Sequence, residues 1–426
     1  MLNRRINGLL LFVLLLTLSW NSWAQNEISN PYSAFGVGLV NRSSNGILDG
    51  MGGASYAMQN PYYINFRNPA SYAAFDSLSF IADAAASIYV STLSSGTLRQ
   101  RNSYARLGYI NIGLPVTRHW RSSVGIVPFS SVGYDVAFSS TMENIGEVKY
   151  DYSAKGGLYQ LYWGNAFKIC KGLSIGLNTS YIFGTIYKFN NTSFDGNNFY
   201  NSYINDSYLI DGIHLNGGIQ YFFNINEKHK IGLGLVYSNT AYIWARENLL
   251  INYYQGTFSQ VTTYDTVYFN EVVRGNLYIP QSVGGGVSYT FNDKLTVAGD
   301  VAWNNWAKYK AFGYGDSLCN SITASLGAQF IPDPNSNKFL KRMNFRLGAK
   351  YSTGEIFLRG KPINEFGVTF GVGLPISTFN THSSINIVFE YGKLGTLTRD
   401  LIQQNYFKFT FNFILQERWY QRTKLD

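Results

Sequence analysis

The stretch GLSIG, residues 172–176, has the G-x-S-x-G spacing that sets a serine nucleophile on a strained strand-to-helix elbow. Ser174 does not sit in such a turn. Leu173, Ile175 and Leu177 alternate with Ser174 and Gly176, which is the period of a strand. The four histidines, His119, His214, His229 and His382, are scattered and form no H-E-x-x-H motif. Cys170 and Cys319 are too few for a disulfide framework, and they are expected to stay unpaired at opposite ends of the fold. GMGGAS and VGGGV lack the Lys-Ser/Thr that completes a phosphate loop. The expectation is a chain without catalytic residues, metal or cofactor, and not an enzyme.

The residues left to do chemistry are charges set into apolar strands: Asp300, Arg346, Lys350, Glu390 and Lys408. Each alternates with large apolar neighbours. In QNYFKFTFNFILQERW, Phe407, Phe409, Phe411, Phe413 and Leu415 share one face, and Lys408, Thr410, Asn412 and Ile414 share the other. In 343–351, Met343, Phe345, Leu347, Ala349 and Tyr351 oppose Asn344, Arg346, Gly348 and Lys350. Four phenylalanines on one face exceed what a water-facing sheet tolerates, and a cation turned to mid-bilayer costs about 2–4 kcal/mol. The aromatic face therefore meets lipid. The charged face meets a wet lumen, where its charges either hold an internal plug or receive the headgroup of an amphipathic ligand.

Fourteen such segments recur: 78–93, 103–116, 121–139, 156–169, 172–189, 209–225, 229–246, 272–291, 294–312, 315–331, 340–352, 363–376, 382–393 and 404–416. Most reach the roughly 9–11 residues that a tilted strand needs to cross hydrocarbon. An even number closes an antiparallel sheet without a free edge in lipid. The fold class is thus all-β: a fourteen-stranded antiparallel transmembrane β-barrel over 78–416. Tight turns at 117–120, 170–172 and 291–294 alternate with polar connections at 190–208 and 247–271, which are expected to be long external loops. The connection 332–339 is longer than the other turns on its side.

Residues 1–24 carry Arg4 and Arg5, an apolar run from Leu9 to Leu18, and Ser22-Trp23-Ala24, the order of a signal peptide cleaved before Gln25. Residues 25–77 do not alternate. They are rich in Gly, Asn, Pro and Ala, yet Phe35, Leu39, Met51, Tyr56, Tyr62, Tyr63 and Phe66 are too apolar for a disordered leader. A plug folded inside the lumen is expected there, and a basic periplasmic tail over 417–426. Charged residues are 14% of the chain against about 25% in ordinary globular proteins, and aromatics are 17%. The net charge of +9 comes without any Lys/Arg-rich run, so no nucleic-acid partner is expected.

The segment ending in Asn68-Pro69-Ala70 resembles the hatch of the FadL family of outer-membrane long-chain fatty-acid transporters. YIPQSVGGGVSYTFNDKLTVAGDVAWNNWAKYK resembles that family's paired strands, with Pro280, Asp300, Trp303 and Trp306 in the familiar order. The final third is similar to the family's Bacteroidota branch, although the tail after Leu415 departs from the usual aromatic terminus. The resemblance implies a plugged barrel in the bacterial outer membrane, with outer-membrane lipid and a hydrophobic small molecule as its partners. It also implies lateral release through a kink in the third strand. There Pro128 withholds a ladder donor and Gly133 weakens the strand. That branch includes fatty-acid-transporter-like barrels and relatives recruited to secretion or assembly machinery, so the resemblance also implies, as a competing expectation, an accessory barrel docking other outer-membrane proteins or lipoproteins.

Overall fold

The computed structural model describes residues 30–77, 79–195, 199–257, 260–376 and 382–418. The leader expected over 1–24 and residues 419–426 of the expected tail lie outside the described residues, and Glu417 and Arg418 belong to the last strand instead.

Fourteen antiparallel strands among the described residues form the wall. They are β1 (Ser79–Ser95), β2 (Leu98–Pro115), β3 (Trp120–Met142), β4 (Gly146–Lys168), β5 (Leu173–Phe194) and β6 (Asn201–Asn226). β7 (His229–Ser238, resuming as Ala241–Thr257) and β8 (Gln260–Ile279, resuming as Ser282–Phe291) are each interrupted once. The remainder are β9 (Leu295–Asn304), β10 (Ser321–Phe330), β11 (Asn344–Ser352), β12 (Glu365–Pro375), β13 (Ser384–Gly395) and β14 (Gln403–Arg418). β1 pairs with β14 from Ser79↔Arg418 to Ser94↔Gln403, so the sheet closes on itself. Closure matters because hydrocarbon offers backbone groups no partner.

The two faces follow from the period-2 pattern. On β14, Phe407, Phe411 and Phe413 are about half exposed, whereas Lys408, Thr410, Asn412 and Ile414 are buried. Leu347 on β11 and Phe366, Val368 and Phe370 on β12 continue the outward apolar band. Phe389 of β13 meets Phe409 edge to face at 5.4 Å, which locks neighbouring strands on the lipid side.

One end of the barrel carries the short connections 116–119, 169–172, 227–228 and 292–294. That is the periplasmic signature of outer-membrane barrels. The long connection there contains a four-residue helix, Phe339–Arg342. At the other end the expected loops 190–208 and 247–271 are not loops. β5 and β6 pair as far as Thr192↔Ser202, and β7 and β8 as far as Thr257↔Gln260. Their Asn, Thr and Tyr residues read as polar loop composition, but outside hydrocarbon a strand has no need of an apolar face.

Residues 30–77 lie inside the ring. They contain two 3-10 helices, Pro31–Ala34 and Pro69–Ala74, a four-residue α-helix Gly46–Asp49, and a two-residue strand Leu39–Val40. Each helix starts at an asparagine whose side chain accepts from the backbone N–H two residues on: Asn30 from Tyr32, Asn45 from Ile47, Asn68 from Ala70. Leu48, Met51, Tyr63, Ile64, Phe66 and Tyr72 pack with Ile81, Tyr109, Tyr162 and Ile414 of the wall into one core.

Candidate functional site

The hatch is held by contacts that its asparagines and the wall glycines make possible. Two of the caps also donate outward, Asn30 Nδ2 to Gln404 and Asn45 Nδ2 to Asp83, while Asn68 Nδ2 ties the hatch to itself at the Tyr56 carbonyl, 2.7 Å away. In Asn68-Pro69-Ala70 the proline takes the first helical position, where its missing N–H costs nothing. This corner lies against Gly176 of β5 and Gly218 of β6. A Cβ on Gly176 would stand 2.4 Å from the Pro69 carbonyl carbon, and one on Gly218 2.0 Å from Asn68 Oδ1. Gly348 of β11 admits Gly52 in the same way, at 2.1 Å. Inward glycines thus mark the seats of the hatch.

All five charges singled out from the sequence face inward, and each meets the hatch or a neighbouring strand. Asp300 Oδ2 accepts from the backbone N–H of Ser55 at 2.5 Å and Tyr56 at 2.9 Å. Lys408 Nζ reaches Asp49 at 3.1 Å and Ser43 Oγ at 2.8 Å. Lys350 pairs with Glu390 at 2.6 Å, and Tyr406 Oη lies 2.7 Å from Glu365 and 2.8 Å from Glu390. Arg42 of the hatch binds Glu365 at 2.9 Å and also Glu355. Burial disfavours the Arg42 charge, but the Glu355 and Glu365 carboxylates outweigh it and hold the guanidinium above its ordinary range. Arg346 differs from the others. Only 3% exposed, it donates to Gln329 and Asn386 and makes no ion pair among the described residues.

Arg42, Arg106, Lys350, Glu365, Glu390 and Lys408 line a shared cavity. A second also touches residues 40–43 and runs toward Pro128, Phe129, His214 and Trp306. The lumen is therefore not simply wet. Lys408, Thr410 and Asn412 are buried, with Lys408 bound to Ser43 and Asp49 and Gly46 packed against Asn412, so the inward face of β14 is covered by the hatch.

Between β2 and β3 the wall is interrupted. β2 pairs with β3 only from Ile110↔Ile126 to Pro115↔Arg121. Above that level β2 is held by β1 alone, as far as Leu98, and β3 is held on its far side by β4. Both strands carry a bulge where pairing stops, Gly108 on β2 and Phe129 on β3, next to Pro128, which has no N–H for the ladder. Through β1, Ser103, Ala105 and Leu107 of β2 stand level with Phe407, Phe409 and Phe411 of β14, within the aromatic band.

Hatch residues close the β3 side of this opening. Leu39 and Val40 pair antiparallel with Ser131 and Ser130. Asn41 donates to Phe129 O at 2.9 Å through its backbone and to Pro128 O at 3.0 Å through its side chain. Gly133 is not the bend. Its carbonyl accepts from Asn30 N at 2.8 Å and its N–H donates to Ser33 Oγ at 3.0 Å, so it anchors the hatch. Gly38, at φ +94, lets the segment approach, since a Cβ there would lie 2.5 Å from Ser131 O. Arg106 spans the opening from β2, bound to Tyr89 Oη at 2.8 Å, Asn41 Oδ1 at 3.2 Å and Ser131 Oγ at 3.5 Å.

The motifs set aside in the sequence lie apart from this site. Ser174 sits within β5 with its hydroxyl buried, and no group of three His, Cys, Asp or Glu suited to a metal occurs among the described residues. Cys170 and Cys319 are both free.

The fold is that of known outer-membrane barrels. The chain superimposes on a Pseudomonas aeruginosa FadL homologue with TM-score 0.57 and 11% identity, covering 90% of this chain and 100% of that one. It matches the Pseudomonas putida toluene transporter TodX at 0.59 and 14%, covering 89% and 99%, and the Ralstonia pickettii toluene transporter TbuX at 0.54 and 13%, covering 88% and 98%. No curated protein matches it in sequence. The family model described as BamG matches residues 5–426, and the chain belongs to the BamG family.

Proposed function

We propose that this barrel passes hydrophobic or amphipathic small molecules, such as long-chain fatty acids, and releases them sideways into the membrane between β2 and β3. The observation that carries the reading is the interrupted wall: an opening level with Phe407–Phe411, closed on one side by hatch residues and bridged by Arg106. An opening at that depth meets hydrocarbon, so it suits a cargo that prefers lipid to water. The folds of the two toluene transporters lend support by analogy.

The test is a reversible lock on the hatch. Val40 and Ser130 are opposed partners, close enough to bridge as cysteines. In a Cys170→Ser, Cys319→Ser background, Val40→Cys with Ser130→Cys should abolish uptake of a hydrophobic tracer when oxidised and restore it on reduction. Equal uptake in both states would end the lateral route.

A second reading is an accessory barrel that docks partners in an outer-membrane assembly. It is favoured by the lumen itself, which the seated hatch fills and the charge network ties to the wall. Affinity purification in mild detergent separates the two: co-purified lipid in the lumen supports passage, and a stoichiometric protein partner supports docking.

A further inference from the structure

The two sides of the wall opening are not equivalent. The β3 side is occupied by hatch backbone, whereas the β2 side, from Leu98 to Gly108, pairs with nothing beyond β1 among the described residues. Alternate residues of an antiparallel strand direct both their N–H and C=O to the same edge. Over about eleven residues that is a long row of donors and acceptors. Its lower half stands within the aromatic band, where each unpaired group costs several kcal/mol. Arg106 turns its two Nη groups to Tyr89, Asn41 and Ser131 rather than to this row. Lipid tails offer no hydrogen bonds, and a small apolar cargo offers none either.

We infer that the β2 edge, Leu98–Gly108, receives an extended segment of a partner protein, which adds to the wall as a further strand. This rests on the accessory-barrel reading. Only a backbone at strand spacing matches a regular row of N–H and C=O groups. The opposite side of the same opening already works in this way, since Leu39–Val40 of the hatch adds to Ser130–Ser131 by strand pairing. The outward residues of β2 grade from apolar to basic: Leu107 and Ala105, then Ser103, Arg101 and Arg99, all exposed. The segment that fits is therefore apolar where it faces lipid and acidic toward the end that lies beside Arg101 and Arg99.

The test is photo-crosslinking in the full-length protein in its native membrane, with benzoylphenylalanine placed singly at Ser103, Ala105 and Leu107. Normal assembly of each variant is verified by heat-modifiable migration. The expected result is adducts to one partner peptide, with the attachment point moving by two residues for each step along β2. Arg99→Glu with Arg101→Glu should lower the adduct yield about tenfold, as loss of two exposed ion pairs predicts. Adducts to lipid alone, or to protein without a regular step, overturn the inference. A partner that co-purifies but crosslinks only at other surfaces overturns the β2 site and leaves the accessory reading standing. Absence of any partner overturns both. Amide exchange gives an independent readout: residues 98–108 should be protected in the native complex and exchange freely in the purified barrel, and equal exchange in the two would contradict added pairing.

Discussion

Arg346 and Asp83 are joined through two asparagines. Arg346 Nη1 donates to Asn386 Oδ1 at 3.0 Å, Asn386 Nδ2 to Asn412 Oδ1 at 2.9 Å, and Asn412 Nδ2 to Asp83 Oδ1 at 2.7 Å. Both charges are almost fully buried, at 3% and 1% exposure, and neither has an ion-pair partner among the described residues. The amides polarise one another along the chain and link opposite charges that never touch. Asp83 also receives Asn45 Nδ2 and Tyr109 Oη, so the relay ends on the hatch.

Asn386→Leu should break this relay and leave two buried polar ends unpaired, at about 1–3 kcal/mol each. Asn386→Asp places a carboxylate beside the guanidinium and should hold stability near that of the parent. The check is the temperature at which the folded barrel band is lost on semi-native gels. Equal losses for both variants would refute a charge-linking role for Asn386.

Lys408→Met should loosen the hatch without preventing insertion. Lys408 is the ion-pair partner of Asp49, and leaving a buried charge alone costs about 3–5 kcal/mol. Limited proteolysis of assembled protein should then cut within residues 40–60, where the parent resists. Unchanged resistance would show that the ion pair does not hold the hatch.

Phe411→Arg tests the register of β14. Phe411 is about half exposed within the band, where arginine costs about 2–4 kcal/mol. Membrane-assembled protein should fall sharply, and parental levels would place that residue outside hydrocarbon.

Gly348→Val should expel the hatch locally, because its side chain would occupy the space of Gly52. A cysteine-reactive probe at Ser55→Cys should label quickly in this variant and slowly in the parent. Slow labelling in both would mean the wall yields instead.

Strand number and facing were legible because lipid imposes a strict rule: every second residue on β11–β14 is large and apolar. The same rule explains the misreading of 190–208 and 247–271, since strands that rise out of the bilayer lose the pattern that identifies them. The site was legible only in part. Glu365 and Tyr406 share the inward phases of Thr369 and Lys408, and Asp83 shares that of Ile81, so extending the alternation would have found them. Arg42, Asp49 and Glu355 lie in aperiodic segments, where nothing local says which wall residue they meet. That the inward face of β14 is covered rather than hydrated also depends on where the hatch folds. Pro128 lies two residues beyond the last β2–β3 pair, next to the Phe129 bulge. The role of Gly133 needed its partner, Asn30.

The uneven strand lengths have a consequence for neighbours. β3 to β6 run over 22–26 residues, whereas β9 to β12 run over 9–11. At about 3.3 Å per residue and a tilt near 40°, one flank stands roughly 30 Å taller than the other. The rim is a parapet on one side and a low sill on the other. A protein alongside could lean on the parapet well clear of the bilayer. The interrupted seam between β2 and β3 is the edge of that parapet, since β3 is the first of its tall strands.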